Sequence, residues 1–364
     1  MCEMYNKIVN EYILNELPEY MQVKILNMLH DRGIINNKKR YKKKFEGSNI
    51  IDVCEISKTK GKLELLFEKY DGIIKEYQDF DYFRAYRFSS IFKVNISTLN
   101  NNYKLINDLC KKNQIIRYTD SNEFRDNINT FAEKPTYRIM GKYRIFKFTY
   151  KLMNREDNTK FIKYPVLMII DNLNETLEVR LDLVSFDYKN REEFYKLKIK
   201  EILSWTRSYL KLETECIDFE GVVKYINNNK TDEVTVSGLD MRRDGMSAKL
   251  HSSSKNKGKL PILTELKDLI IMEEDLFNKT ADTRKIKSML ETLLSEIDEN
   301  STFPSSELYW NDRMLSVNVV HGYKQSDFSL FRYKGDLRNK EDMNYVTEYL
   351  IASVREFKEK LGLE

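Results

Sequence analysis

Glycine and proline are scarce, 12 and 5 in 364 residues, which excludes collagen-like and low-complexity chains. Cysteine is scarcer still. Cys2, Cys54, Cys110 and Cys216 each stand more than 50 residues from the next, so neither a metal knuckle nor a redox pair of the CxxC kind is present, and no disulfide framework is suggested. Thiols so scattered fit a reducing compartment, and a cytoplasmic location is the expectation. Three histidines, His30, His251 and His321, are too few for a His-rich metal site, and two Trp are too few for a tryptophan cage.

Long apolar runs are missing too. The longest, residues 165–170, is strand-sized, and Glu3, Glu11 and Glu16 interrupt the apolar residues of the N-terminus. Neither a membrane span nor a signal-peptide core is therefore expected. The phosphate loop, the dinucleotide GxGxxG, the GxSxG elbow and HExxH are all lacking; Gly61-Lys62, Gly141-Lys142 and Gly258-Lys259 do not have the phosphate-loop spacing. No cofactor and no metal site is expected. A net charge of +4, from 61 Lys+Arg and 57 Asp+Glu, is not that of a polycationic coat.

What is present is enough apolar material for a core, 41% of the residues, in two textures. Residues 1–134 read as helices and loops, and residues 135–364 as strand pairs alternating with helices. In the first part Pro18 opens a helix through Met21, Ile25, Met28 and Leu29 that Gly33 stops. Further helices are expected over 63–77, 82–92 and 103–112. Beyond Pro135, residues 136–152 and 161–170 are strand-like. Leu177, Val179, Leu181 and Leu183 then alternate with Glu178, Arg180 and Asp182, as a strand does with one face inward and the other in water. A helix follows over 192–212, a short one over 219–226, and a hairpin is centred on Asp244-Gly245. Two more helices cover 261–277 and 281–297; the second carries Ile286, Met289, Leu290, Leu293, Leu294 and Ile297 as its apolar stripe. Strands over 314–320 and 327–333 and a closing helix over 342–361 complete the chain. Strands that arrive in hairpins make a mostly antiparallel sheet, so the expected class is α+β: a helical region, 1–134, then a domain, 135–364, with helices packed on one face of its sheet.

Three basic stretches suggest a polyanion. Lys38, Lys39, Arg40, Lys42, Lys43 and Lys44 place six cations in seven residues, and residues 1–134 hold 23 Lys+Arg against 19 Asp+Glu, whereas the rest holds 38 of each. Such a run suits sequence-independent contact with a nucleic-acid backbone, and a solvated loop is the plain alternative. Arg138, Lys142 and Arg144 share parity and are read as emerging on one sheet face, among Tyr143, Phe146, Phe148 and Tyr150, where bases could stack. Arg242 and Arg243 sit at the hairpin tip, and Lys255, Lys257 and Lys259 lie in the Ser/Gly-rich segment after it, which could wrap phosphates or be a solvated linker. Asp171 with Glu178-Val179-Arg180 imitates the acidic-x-Lys pattern of metal-dependent nucleases, but the spacing is short and Arg stands where Lys is needed.

The expected function is non-catalytic: a nucleic-acid-associated or complex-assembly protein with a protein partner. The codon-bias look of 23 Tyr and many Lys, Ile and Asn points to an accessory component of a bacterial mobile-element or defence system. The alternatives are a protein–protein adaptor with no nucleic-acid role and a divergent metal-dependent nuclease.

Overall fold

The computed structural model describes residues 13–39, 50–95, 102–119, 125–189, 191–243, 246–251, 263–335 and 340–362. They form an α+β protein with mostly antiparallel sheets, as expected. The chain divides into two compact units, Met1–Arg84 with Lys93–Thr214, and Ala85–Phe92 with Glu215–Glu364. The units therefore do not part near Pro135, where the period of the sequence changes. The helices before that point pack into the same unit as the strands after it.

The first unit begins with α1 (Glu19–Asp31), the short parallel strands β1 (Ile35–Asn36) and β2 (Ile51–Asp52), α2 (Thr59–Lys69) and α3 (Ile73–Phe83). Pro18 precedes α1 as expected, and Gly33 ends it at φ +71°, a left-handed position that a Cβ disfavours. Ile25, Leu29, Leu63, Leu66, Ile73 and Phe80 share one buried cluster. The single helix expected over 63–77 is broken at Tyr70–Gly72 into α2 and α3. The helix expected over 82–92 is not formed: α3 stops at Phe83, and β3 (Phe88–Val94) follows. Its β-branched and aromatic residues fit a strand, and Ser89 and Ser90 are weak helix formers.

After α4 (Asn102–Lys111) and the short strands β4 (Ile116–Arg117) and β5 (Ile128–Asn129) comes the expected meander: β6 (Thr136–Met140), β7 (Tyr143–Met153), β8 (Phe161–Asp171) and β9 (Thr176–Leu181). Its pairs are antiparallel, while β4 adds to β6 and β5 to β7 in parallel. Helices cover both faces of this meander, not one. Phe146 and Phe148 meet Trp205 of α5 (Phe194–Trp205) at 5.8 and 5.0 Å between ring centroids. On the opposite face α3 supplies Tyr82, whose hydroxyl lies 2.6 Å from Thr136 Oγ1, and Asp81, which meets Lys147 and Lys163. Glu178, Arg180 and Asp182, expected in water, are consequently buried, and Leu183, expected inside, is exposed beyond the end of β9.

The second unit contains α6 (Phe219–Asn229), following the short strand β10 (Thr214–Cys216) at the junction, then β11 (Val234–Arg243), β12 (Met246–His251), α7 (Leu263–Met272), α8 (Glu274–Phe277), α9 (Ala281–Asn300), β13 (Thr302–Trp310), β14 (Leu315–Val320), β15 (Leu330–Lys334) and α10 (Lys340–Lys360). Strand order is β12-β11-β13-β14-β15, with Phe88 and Ser89 of β3 beside β15. β13 was not foreseen. The β11–β12 hairpin and the β14–β15 pair were, while Asp244 and Gly245 themselves lie outside the described residues. Here helices do lie on one face. Val234, Val236, Leu308, Trp310, Val317, Val319, Phe331 and Tyr333 point to one side and are buried. Phe219 of α6 meets the Phe331 ring edge-on at 4.8 Å, and Tyr349 of α10 meets Trp310 at 5.8 Å. Glu307, Ser316 and Lys334 occupy the other side, where Glu307 accepts from Ser316 at 2.7 Å and from Lys334 at 2.6 Å.

Candidate functional site

The expected basic sheet face is not assembled. The turn between β6 and β7 has two residues, Gly141 and Lys142, so Ile139 stands opposite Arg144 and Arg138 opposite Ile145. Paired residues share a face, so across this turn equal number parity means opposite faces. Arg138 and Arg144 accordingly part. Arg138 donates to Asp79 Oδ1 at 2.7 Å and lies 4.8 Å over the Tyr118 ring. Arg144 is buried on the other face. Lys142, in the turn, pairs with Asp171 at 3.0 Å. Phe146, Phe148 and Tyr150 are buried, not offered for stacking.

Of the other expected cations, Lys38 is half-buried, and Lys39 is exposed and 3.4 Å from Glu55. Arg40, Lys42, Lys43, Lys44, Lys255, Lys257 and Lys259 lie outside the described residues. Arg242 is exposed and Arg243 half-buried at the end of β11, opposite Ser247 and Met246.

The cations of the meander instead build a closed network that sequence reasoning missed. Lys147 Nζ lies 2.8 Å from Asp126 and 3.6 Å from Asp81; Lys163 Nζ lies 2.6 Å from Asp126 and 2.8 Å from Asp81. Arg84 bridges Asp81 and Asp182. Three cations thus face three carboxylates, and all six side chains are nearly sequestered from water. Burial alone would raise the Asp81 carboxyl, but Lys163, Lys147 and Arg84 outweigh it and hold the group at about 2. Burial pulls Lys147 below its ordinary value, with Asp126 opposing. Lys163 goes up, because Asp126 and Asp81 outweigh its burial. Around the network Asp79 receives Arg138 and Tyr118, and Glu178 pairs with Arg180 at 2.8 Å. With each charge answered and the centre enclosed, the chemistry is that of a latch between α3, the segment at Asp126 and the meander. The signal for it was the excess of Lys and Arg over 135–170, taken as a surface because strand parity says nothing of what lies above a face.

The nuclease-like residues do not converge either. Asp171 accepts from the Leu173 and Asn174 amides at 2.9 and 3.2 Å, closing the β8–β9 turn, while Glu178 is turned to Arg180. Among the described residues no group of three or more His, Cys, Asp or Glu is placed to hold a metal ion, and no helix is long and apolar enough to cross a membrane.

The least satisfied surface lies on α7–α9. Thr280 and Thr283 cap α9 reciprocally, and Lys287 ties it to α8 through Glu274 at 2.9 Å. Ile270 of α7 and Leu294 of α9 are buried. Leu269, Ile271, Met272, Leu276, Ile286, Met289 and Leu293 are exposed, Met272 to 81% and Met289 to 64%. The apolar stripe read along 281–297 is thus buried at Leu294 and exposed at Ile286, Met289 and Leu293. Amphipathic spacing was legible; what covers the stripe was not. No protein-family model matches this chain, and no curated protein is significantly similar to it.

Proposed function

We propose that this chain is a complex-assembly protein that docks a protein partner through the α7–α9 helices. The observation that carries the reading is the exposed apolar stripe of α9, Ile286, Met289 and Leu293, with Leu269, Met272 and Leu276 also exposed on α7 and α8. Leaving apolar area in water forgoes about 25 cal/mol per Å², and contiguous patches of this kind mark interaction sites. The buried charge network supports a non-catalytic role for the meander, because its carboxylates and ammonium groups answer one another away from water. A cytoplasmic location goes with the reading and rests on the wide spacing of the four cysteines.

The test is a photo-reactive residue in place of Met289, activated in the source cell. An adduct heavier than the chain is expected there and not from the same residue in place of exposed Lys224. Equal labelling at both positions, or none at Met289, removes the assembly reading.

A second reading, sequence-independent contact with nucleic acid, is favoured by exposed Arg242 and Lys249 on the β11–β12 hairpin, close in sequence to Lys255, Lys257 and Lys259. A mobility shift over a salt series tests it. Each phosphate contact adds about −0.9 to the slope of log K against log salt on B-DNA, so changing Arg242, Arg243 and Lys249 to Ser should flatten that slope by roughly 1–3 units.

A further inference from the structure

We infer that the partner seated on α9 is a second copy of this chain, its α9 running antiparallel to the first. The inference rests on the assembly reading above and names its partner. Ile286, Met289 and Leu293 recur at i, i+3 and i+7 and form one exposed stripe along α9. Charge is distributed unevenly along that stripe. From Arg284 on, its first half carries Arg284, Lys285 and Lys287 and its second half Glu291 and Glu296, with Asp282 before them in the first turn. Arg284 and Lys287 are engaged within the helical element: Arg284 donates to the Asn278 carbonyl at 3.1 Å, and Lys287 pairs with Glu274. Lys285 and Glu296 are exposed, one near each end of the stripe. Eleven residues apart, they fall within about 20° of each other around the helix, on the same flank as Met289.

A flank that is positive at one end and negative at the other is self-complementary under a two-fold axis. When two copies cross antiparallel near Leu290, Lys285 of each meets Glu296 of the other, at both ends of the contact. The Ile286, Met289 and Leu293 side chains then interleave between the two ion pairs. A parallel arrangement would set Lys285 against Lys285 and Glu296 against Glu296. Two-fold pairing is also the commonest way in which one surface patch satisfies itself, and flanking charges of this kind set partner choice and orientation for paired helices.

The pattern makes an unusual demand on charge-reversed variants. Lys285→Glu should put two like-charge contacts into the homodimer, and so should Glu296→Lys. Mixed one to one, the two variants should pair again, because Glu at 285 of one then faces Lys at 296 of the other while the native Lys285 and Glu296 still meet. Both positions are exposed, so the fold should be kept, which far-UV circular dichroism on each variant checks.

Sedimentation equilibrium on the full chain over a concentration series reads the result. The expected outcome is a wild-type dimer, a dissociation constant raised roughly tenfold or more in each single variant, and recovery to near the wild-type value in the mixture. A wild type that stays monomeric, single variants that dimerise as well as wild type, or a mixture no tighter than its components each overturns the inference. A monomeric wild type that still gives the adduct at Met289 removes the second copy as partner and leaves the assembly reading standing.

Discussion

Lys163 and Asp126 meet at 2.6 Å with both side chains almost wholly out of water, and Asp126 also holds Lys147, at 2.8 Å. One carboxylate therefore answers two ammonium groups from neighbouring strands. Asp126→Leu should leave both lysines to share Asp81, and removing one partner of a buried ion pair costs about 3–5 kcal/mol. Replacing Asp126 and Lys147 together by Leu and Met leaves Asp81 and Lys163 as a balanced pair, and should cost at least about 2 kcal/mol less than the sum of the single changes. Urea unfolding of the four proteins of this cycle measures the difference; strictly additive losses would show that the latch is not one unit.

Acid should loosen this unit at a definite place on the pH scale. The Asp81 carboxyl is held at about 2 in the folded chain, below its ordinary 3.8. A depressed folded-state value means that ionised Asp81 stabilises the fold. The contribution is complete above the unfolded value and is lost as pH falls from about 4 through about 2. It amounts to about 2 kcal/mol, since each unit is worth about 1.4 kcal/mol. Melting temperature should drop through that window, and Asp81→Asn, less stable throughout, should show a shallower drop. An unchanged slope in Asp81→Asn would assign the acid sensitivity to other carboxylates.

Alternation along β9 leads one to expect Asp182→Ala to be harmless and Leu181→Asp ruinous. The fold alters the first half of that contrast. Asp182 receives Arg84 beneath α3, and its carbonyl accepts from Tyr164 at 2.8 Å. Asp182→Ala strands part of the Arg84 charge and should cost about 2–4 kcal/mol by chemical denaturation. Leu181, fully buried, remains intolerant of Asp. A loss below about 0.5 kcal/mol in Asp182→Ala, as at an ordinary surface site, would contradict the covered face.

The division of the chain makes a prediction about fragments. A piece starting at 135 should not be the stable core that the change of period suggests, because Ala85–Phe92 belongs with Glu215–Glu364. Ser90 Oγ donates to the Ser329 carbonyl at 2.8 Å, Arg87 donates to the Gly335 carbonyl at 2.8 Å, and Ser89 pairs in register with Phe331. Residues 215–364 alone should therefore aggregate or melt several degrees below the same fragment carrying residues 85–94 joined through a Gly/Ser linker. Equal melting of the two by differential scanning fluorimetry would show the strand to be dispensable.

Local chemistry was enough to place many of the elements. Pro18 and Gly33 bound α1, and alternation marks β9, because each of these depends on neighbours in sequence. The segment after Phe83 misled for the same reason: aromatic residues suit a helix or a strand alike, and its pairing with other strands, β15 among them at Phe88 and Ser89, decides for a strand. What no window of sequence could supply was the covering of each face. Period two tells which side chains share a side of β7, β8 and β9; it does not tell that α3 lies over Lys147 and Lys163 and turns a basic surface into a neutral latch. Period 3.6 likewise identifies the stripe of α9 without saying whether core, water or another chain lies against it. Charge and apolarity are properties of residues, whereas burial belongs to pairs of surfaces brought together from distant parts of the chain, and only the tertiary structure decided which surfaces met.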